Sequence, residues 1–178
     1  PGRETCFASM GNYIFSKRRL IEVLKAGKKL HADLDFGKHV IPMMLEQGDR
    51  VFAYNFLDNL IPGTKPEEKG YWKDVGTLDS YYEANMDLVK VAPQLNLYNY
   101  KWPIFTKQGN LPPAKTVFDE EGRRGENINS YVCGGCITSG GTVRRSILAP
   151  RVKVNSYSTI DDSILFENVE VGRYAKIN

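Results

Sequence analysis

The feature that most constrains the fold is a repeat in the last third of the chain. Ile137, Val154 and Val171 follow one another at a step of 17 residues (154 − 137 and 171 − 154). The same step links Val143, Ile160 and Ile177, and it links Ser146 to Ser163, Ile147 to Ile164, Leu148 to Leu165 and Val152 to Val169. Small or polar residues fill the gaps, as in Val154-Asn-Ser-Tyr-Ser-Thr-Ile160. Aliphatic residues about every six positions, three to a turn of the chain, describe a parallel β-helix of hexapeptide repeats. Each coil leaves an apolar face that only the next coil can cover, so the coils stack. A β-sandwich would need this shared register to arise by coincidence.

The sequence before residue 91 follows a different pattern, with alternating strand and helix signals that indicate an α/β domain or the tail of one. Phe7 to Phe15 is apolar and aromatic, as in a buried strand. Ser16 can cap a helix carrying Leu20, Ile21, Val23 and Leu24, with Gly27 as its end. Gly37 to Glu46 gathers Val40, Ile41, Met44 and Leu45 on one helical face and stops at Gly48. Arg50 to Phe56 alternates like a strand, and Thr77 can cap a helix running to about Lys90. Residues 91–127 carry Pro93, Pro103, Pro112 and Pro113 with little periodicity, and read as an extended linker. The expected organisation is therefore 1–90 α/β, 91–127 linker and 128–178 β-helix. The chain starts almost directly in a strand and stops just after Ile177 without a polar cap, so both ends look cut.

Composition narrows the function classes. The net charge is +3 with basic residues scattered, which does not make a nucleic-acid footprint. Apolar runs are too short to span a bilayer, and Pro1 to Met10 lacks the form of a secretory signal. Cys6, Cys133 and Cys136 are too few for a disulfide framework. Cys133-Gly-Gly-Cys136 has redox or zinc spacing but no second ligand pair, so small residues filling a tight turn is the preferred reading. His31 and His39 are eight apart (39 − 31), which is not a helical metal pair, and neither is given a role.

Four stretches resemble the ADP-glucose pyrophosphorylases (glucose-1-phosphate adenylyltransferases). They are Ala8-Ser-Met-Gly-Asn-Tyr-Ile-Phe15, Asp35-Phe-Gly-Lys-His-Val-Ile-Pro42, Gly70-Tyr-Trp-Lys-Asp-Val-Gly-Thr-Leu-Asp79 and Asn129-Ser-Tyr-Val-Cys-Gly-Gly-Cys-Ile137. Leu95-Asn-Leu-Tyr98, Trp102-Pro-Ile104 and Pro112-Pro-Ala-Lys115 fit the same pattern. The resemblance implies the end of a Rossmann-like nucleotidyltransferase domain followed by the start of a left-handed parallel β-helix. It also implies a reaction in which ATP and α-D-glucose 1-phosphate give ADP-glucose and pyrophosphate, with Mg²⁺ as cofactor, feeding glycogen or starch synthesis. It further implies a homotetramer, control by phosphorylated metabolites, and a cytoplasmic location (or a plastid in a plant). Neither nucleic acid nor membrane is an expected partner.

Residue by residue, the resemblance makes Asp74 a catalytic metal ligand and places Ser9, Asp35 and Trp72 at the glucose 1-phosphate site. Asp74, Ser9 and Asp35 each have a plainer alternative. Asp74 can complement the amino end of the helix after Thr77, Ser9 can be satisfied by backbone, and Asp35 can cap the helix beginning near Gly37. His39 departs from the family, which usually carries an acid there. The family's glycine-rich phosphate loop and its Glu-Lys-Pro stretch do not occur in this sequence, so the 178 residues alone are expected to be inactive. Arg144, Arg145 and Arg151 can contribute to effector binding or simply be solvated charges on the coil exterior. The competing readings are a silent regulatory homologue, a transferase using another nucleotide, a purely structural module, and a hexapeptide acyltransferase. The last would commonly use a β-helix histidine, and residues 128–178 contain none.

Overall fold

The computed structural model describes residues 8–107 and 109–178, which divide into a unit ending at Phe56 and a unit from Leu57 to Asn178. In the first, helix α1 (Lys17–Leu30) begins after Ser16, which occupies the cap position without a side-chain bond. Gly27 does not end this helix as expected. It lies buried within it, and a Cβ there would stand 2.8 Å from Leu34 Cδ1, so glycine is what lets Leu34 pack. A π-helical turn, Phe36–Val40, leads into α2 (Ile41–Glu46), with Pro42 in the first turn, where a missing N–H costs least. Val23, Val40, Met43 and Met44 form the core of this unit, flanked by Phe15, Leu24 and Leu34.

The two strands expected in this half are not formed among the described residues. Phe7 lies outside them, residues 8–15 join no ladder, and neither do residues 50–56. A strand exists only by pairing, and neither segment enters a ladder among the described residues; Ile14 and Phe52 are left exposed.

In the second unit α3 (Leu78–Leu88) is capped by Thr77, whose Oγ1 accepts from Ser80 N–H while Ser80 Oγ accepts from Thr77 N–H. Within this unit α3 is bonded to the coils: Tyr82 Oη donates to the Asp162 carbonyl at 2.6 Å.

The coils comprise β1 (Lys115–Val117), the hairpin strands β2 (Asp119–Glu120) and β3 (Arg123–Arg124), β4 (Glu126–Ile128), β5 (Tyr131–Val132), β6 (Ile137–Ser139), β7 (Thr142–Arg144) and β8 (Ile147–Leu148). They continue with β9 (Lys153–Val154), β10 (Thr159–Asp161), β11 (Ile164–Leu165), β12 (Glu170–Val171) and β13 (Lys176–Ile177). Three parallel ladders result: β1-β6-β9-β12, β4-β7-β10-β13 and β5-β8-β11. The ladders reach back to Lys115, ahead of the start at residue 128. The β2–β3 hairpin lengthens the first coil to 22 residues (137 − 115), which hides it from a 17-residue step.

The register also corrects one repeat position. Val154 pairs with Thr138, not Ile137, and Thr138 is 1% exposed while Ile137 is 38% exposed. The corner between β6 and β7 is one residue shorter than its successors, and it is closed by Gly140 (φ +70°) and Gly141. A Cβ on Gly141 would meet the Asn155 carbonyl at 2.9 Å. Inside the coils Val143, Leu148, Val152, Val154 and Ile160 are fully buried, each contributing about 1.5–3 kcal/mol by leaving water.

Every corner holds a residue with positive φ, and these align from coil to coil: Asn129, Arg145 and Asp162; Gly135, Arg151 and Asn168; Gly140, Tyr157 and Tyr174. Left-handed geometry costs non-glycine residues about 1 kcal/mol or more each. Contacts between the stacked corners offset this. Arg145 clasps Asp162 at 2.7 and 2.6 Å, Arg151 bonds Asn168 Oδ1 at 2.7 Å, and the Tyr157 and Tyr174 rings stack at 4.8 Å.

The Arg145 guanidinium holds the Asp162 carboxyl below its usual 3.8, and Asn155 and then Lys153 hold Glu170 below its usual 4.5. A depressed folded-state pKa adds stability that is complete above the unfolded value and fades as pH falls through the folded one. Thermal unfolding followed by circular dichroism is therefore expected to show a midpoint that is steady at neutral pH and declines modestly below about pH 4. Asp162→Asn should remove part of that decline; an identical pH profile in the variant would refute the contribution.

Candidate active site

Asp74 lies in the segment that delivers the chain to α3. Its Oδ1 accepts from Gly76 N–H at 2.9 Å, closing a tight turn just ahead of the Thr77 cap. Among the described residues its Oδ2 has no hydrogen-bond partner and the carboxylate has no ion pair, and the residue is exposed. Lys73 Nζ stands 4.0 Å from Asp87 Oδ2 in the last turn of α3, and Lys90 bonds the other oxygen of Asp87. Burial and the nearby Asp87 charge push the Tyr71 phenol up from its ordinary value. Trp72 is 44% exposed, a large apolar face available for a ring to pack on.

Ser9 and Asp35 lie in the first unit. Ser9 Oγ accepts from Gly11 N–H at 3.2 Å across a turn in which Gly11 has φ +76°, and shares a hydrogen with Tyr13 Oη at 2.6 Å. Asp35 Oδ1 accepts from Lys38 N–H at 2.7 Å, the capping role that was its plainer alternative, and Asp35 N–H donates to His39 Nδ1 at 3.1 Å. The Tyr13 ring stacks on Phe36 at 5.8 Å. A Cβ on Gly37 would lie 3.5 Å from Asp35 Oδ1 and 3.9 Å from Tyr13 Oη, so the carboxylate and the phenol flank the same glycine. Tyr13 thus bonds Ser9 and borders the glycine that Asp35 also borders. It was not singled out from the sequence, although a tyrosine four residues after the serine around Gly11 was the available signal. Ser9, Tyr13 and Asp35 form one group and Trp72 and Asp74 another, each within its own unit.

Asp74 offers one hard oxygen donor, the kind a cation such as Mg²⁺ takes. Mg²⁺ takes one or two carboxylates and completes its shell with phosphates and water. No group of three His, Cys, Asp or Glu side chains suited to a metal occurs among the described residues. The cysteines do not form such a site either. Gly135 supplies a left-handed corner, Cys136 is fully buried with its thiol donating to the Ala149 carbonyl at 3.1 Å, and burial pushes both thiols up. Cys6 lies outside the described residues. His31 and His39 stack at 4.1 Å. Arg145 is held by Asp162 and Asp161, Arg151 by Asn168 and Glu167, and Arg144 lies 4.0 Å from Asp161. These three arginines therefore serve the coil ladder. Among the described residues no helix is long and apolar enough to cross a membrane.

Residues 1–91 match the nucleotidyl transferase family model, and residues 112–178 match the GlmU-like C-terminal hexapeptide model. The chain belongs to the nucleotidyl transferase family. Its architecture is the end of a nucleotidyl transferase domain followed by a parallel β-solenoid of hexapeptide repeats. It is similar to nucleotidyl transferases named glucose-1-phosphate adenylyltransferase. The one from Geobacter metallireducens is 81% identical over 99% of this chain and 43% of its own length. The one from Trichlorobacter lovleyi is 80% identical over the same shares, and that from Anaeromyxobacter sp. is 51% identical over 99% of this chain and 44% of its own. The chain thus spans less than half the length of these nucleotidyl transferases.

Proposed function

We propose that the intact protein carrying this chain makes ADP-glucose and pyrophosphate from ATP and α-D-glucose 1-phosphate, as a glucose-1-phosphate adenylyltransferase. What supports this reading is Asp74: an exposed carboxylate with an uncommitted oxygen, inside a family-matched segment, beside an exposed tryptophan. In such a displacement the sugar-phosphate oxygen attacks the α-phosphorus of ATP in line. Charge gathers on several oxygens, so positioning and electrostatic stabilisation do most of the work. Asp74 Oδ2 would hold Mg²⁺, and the chemistry a bound Mg²⁺ supplies is neutralisation of phosphate charge. Ser9 Oγ can donate to a phosphate oxygen once Tyr13 reorients their shared hydrogen. Asp35 keeps acceptor capacity for a sugar hydroxyl, and Trp72 offers its face to the sugar ring.

The same reading makes the intact protein a cytoplasmic homotetramer regulated by phosphorylated metabolites and serving glycogen or starch synthesis. Residues 1–178 alone, without a phosphate-binding glycine loop, are then inactive. A silent regulatory homologue is the second reading, and Asp74 and Ser9 speak against it because a subunit free of catalytic duty need not keep them.

The test is pyrophosphate release by the intact protein with glucose 1-phosphate and ATP, UTP, GTP or dTTP in turn. Activity with ATP at least about tenfold above the others is expected, a base preference worth about 1.4 kcal/mol or more. Preference for another nucleotide would move the protein to a sister activity, and no activity with any would favour the silent homologue.

A further inference from the structure

The segment that carries Trp72 and Asp74 is fastened to α3 at both ends of the helix. At the start, Thr77 and Ser80 bond each other reciprocally. At the end, Asp87 reaches back to Lys73. Between these points α3 is itself fastened to the coil corner after β10, where Tyr82 Oη donates to the Asp162 carbonyl at 2.6 Å, 80 residues away in sequence.

That corner is built to hold a carbonyl in place. Asp162 sits at φ +44°, its N–H donates to the Arg144 carbonyl at 3.2 Å, and its carboxylate is clasped by Arg145 through two bonds. The acceptor offered to Tyr82 is therefore fixed by the coil ladder and does not drift with a loop. The phenol, by contrast, stands on the helix that carries the site segment at its amino end.

We infer that Tyr82 is a positioning residue: its bond to the Asp162 carbonyl references α3, and through it the Asp74 segment, to the β-solenoid. This rests on the proposed role of Asp74. A short helix bonded to a rigid neighbour transmits that placement to the residues at its ends. Losing the bond leaves Asp74 attached to α3 but lets the pair shift together, and displacements of about 1 Å at a reacting centre are costly. Lys73 Nζ lies 4.0 Å from Asp87 Oδ2, a second tie between the segment and the helix.

Two measurements on the intact protein test this with Tyr82→Phe, which removes only the hydroxyl. In the metal-free protein, amide hydrogen exchange in peptides covering residues 70–88 should accelerate about three- to tenfold, the range expected for one lost hydrogen bond, with the remaining peptides unchanged. In the assay, half-saturation for Mg²⁺ should rise and kcat fall by similar factors, with KM for ATP little altered. Arg145→Ala should act in the same direction, and the double variant should be less than additive. Unchanged exchange at 70–88 would overturn the inference. So would exchange that rises uniformly along the chain, because that marks a general loss of stability. If Asp74→Asn destroys activity while Tyr82→Phe changes neither readout, the positioning role falls and the proposed function stands. If Asp74→Asn is fully active, the inference falls together with the reading it rests on.

Discussion

Asp74→Asn in the intact protein is expected to lower pyrophosphate release by roughly 10²- to 10³-fold, equivalent to about 3–4 kcal/mol of transition-state stabilisation. The substitution is nearly isosteric, and the amide oxygen can still accept the Gly76 N–H that closes the turn. The turn, the Thr77 cap and the thermal midpoint should therefore be preserved. What disappears is the carboxylate's negative charge, shared with an oxygen that has no partner among the described residues. A hard divalent cation depends on that charge, so raising Mg²⁺ should recover part of the loss. The competing account, in which Asp74 merely complements the dipole of α3, expects a stability change and no kinetic one. That role is already filled by Asp79, the acid in the first turn of the helix. Activity and Mg²⁺ dependence equal to wild type, with a lowered midpoint, would decide for the dipole account.

What the sequence conveyed and what it withheld follow from the range of the interactions involved. The coil repeat was legible because one inward aliphatic position recurs in each ladder, and Val143-Ile160 and Leu148-Leu165 do pair in register. It failed at Ile137 for a local reason, since a corner shortened around Gly140 and Gly141 moves the inward position to Thr138, a residue no aliphatic pattern selects. The first coil was missed because the β2–β3 hairpin interrupts its spacing. The Thr77 cap was legible from a threonine standing just before the helix. The capping bond of Asp35 was legible too, though as an alternative to a binding role and not as a neighbour of Tyr13. The Tyr82–Asp162 bond had no sequence signal at all, because its acceptor is a main-chain carbonyl 80 residues away and any residue type could supply it. The two strands expected before residue 57 show the limit of reading segments singly: an apolar stretch becomes a strand only where a partner completes its ladder.

The coil register gives the second large effect. Leu148 is fully buried and lies in the ladder between Val132 and Leu165, so its side chain fills space that coils on both sides have closed. Leu148→Ala is expected to destabilise the protein by about 2–5 kcal/mol, the sum of lost transfer energy and an unfilled cavity. The upper part of that range is expected. The backbone around it cannot collapse inward while Cys133 N–H donates to the Leu148 carbonyl and Ala149 N–H to the Leu165 carbonyl. Stacked coils are stabilised by their interfaces, so one cavity weakens two of them. Ile137→Ala is the informative partner. A uniform 17-residue step would set Ile137 inward beside Val154, whereas the observed pairing sets Thr138 there and leaves Ile137 38% exposed. Its loss should cost less than about 1 kcal/mol, as for a partly exposed side chain. Urea unfolding of the two variants measures the difference directly. Equal destabilisation by both would mean that Ile137 points into the coil and that the short glycine corner does not shift the register.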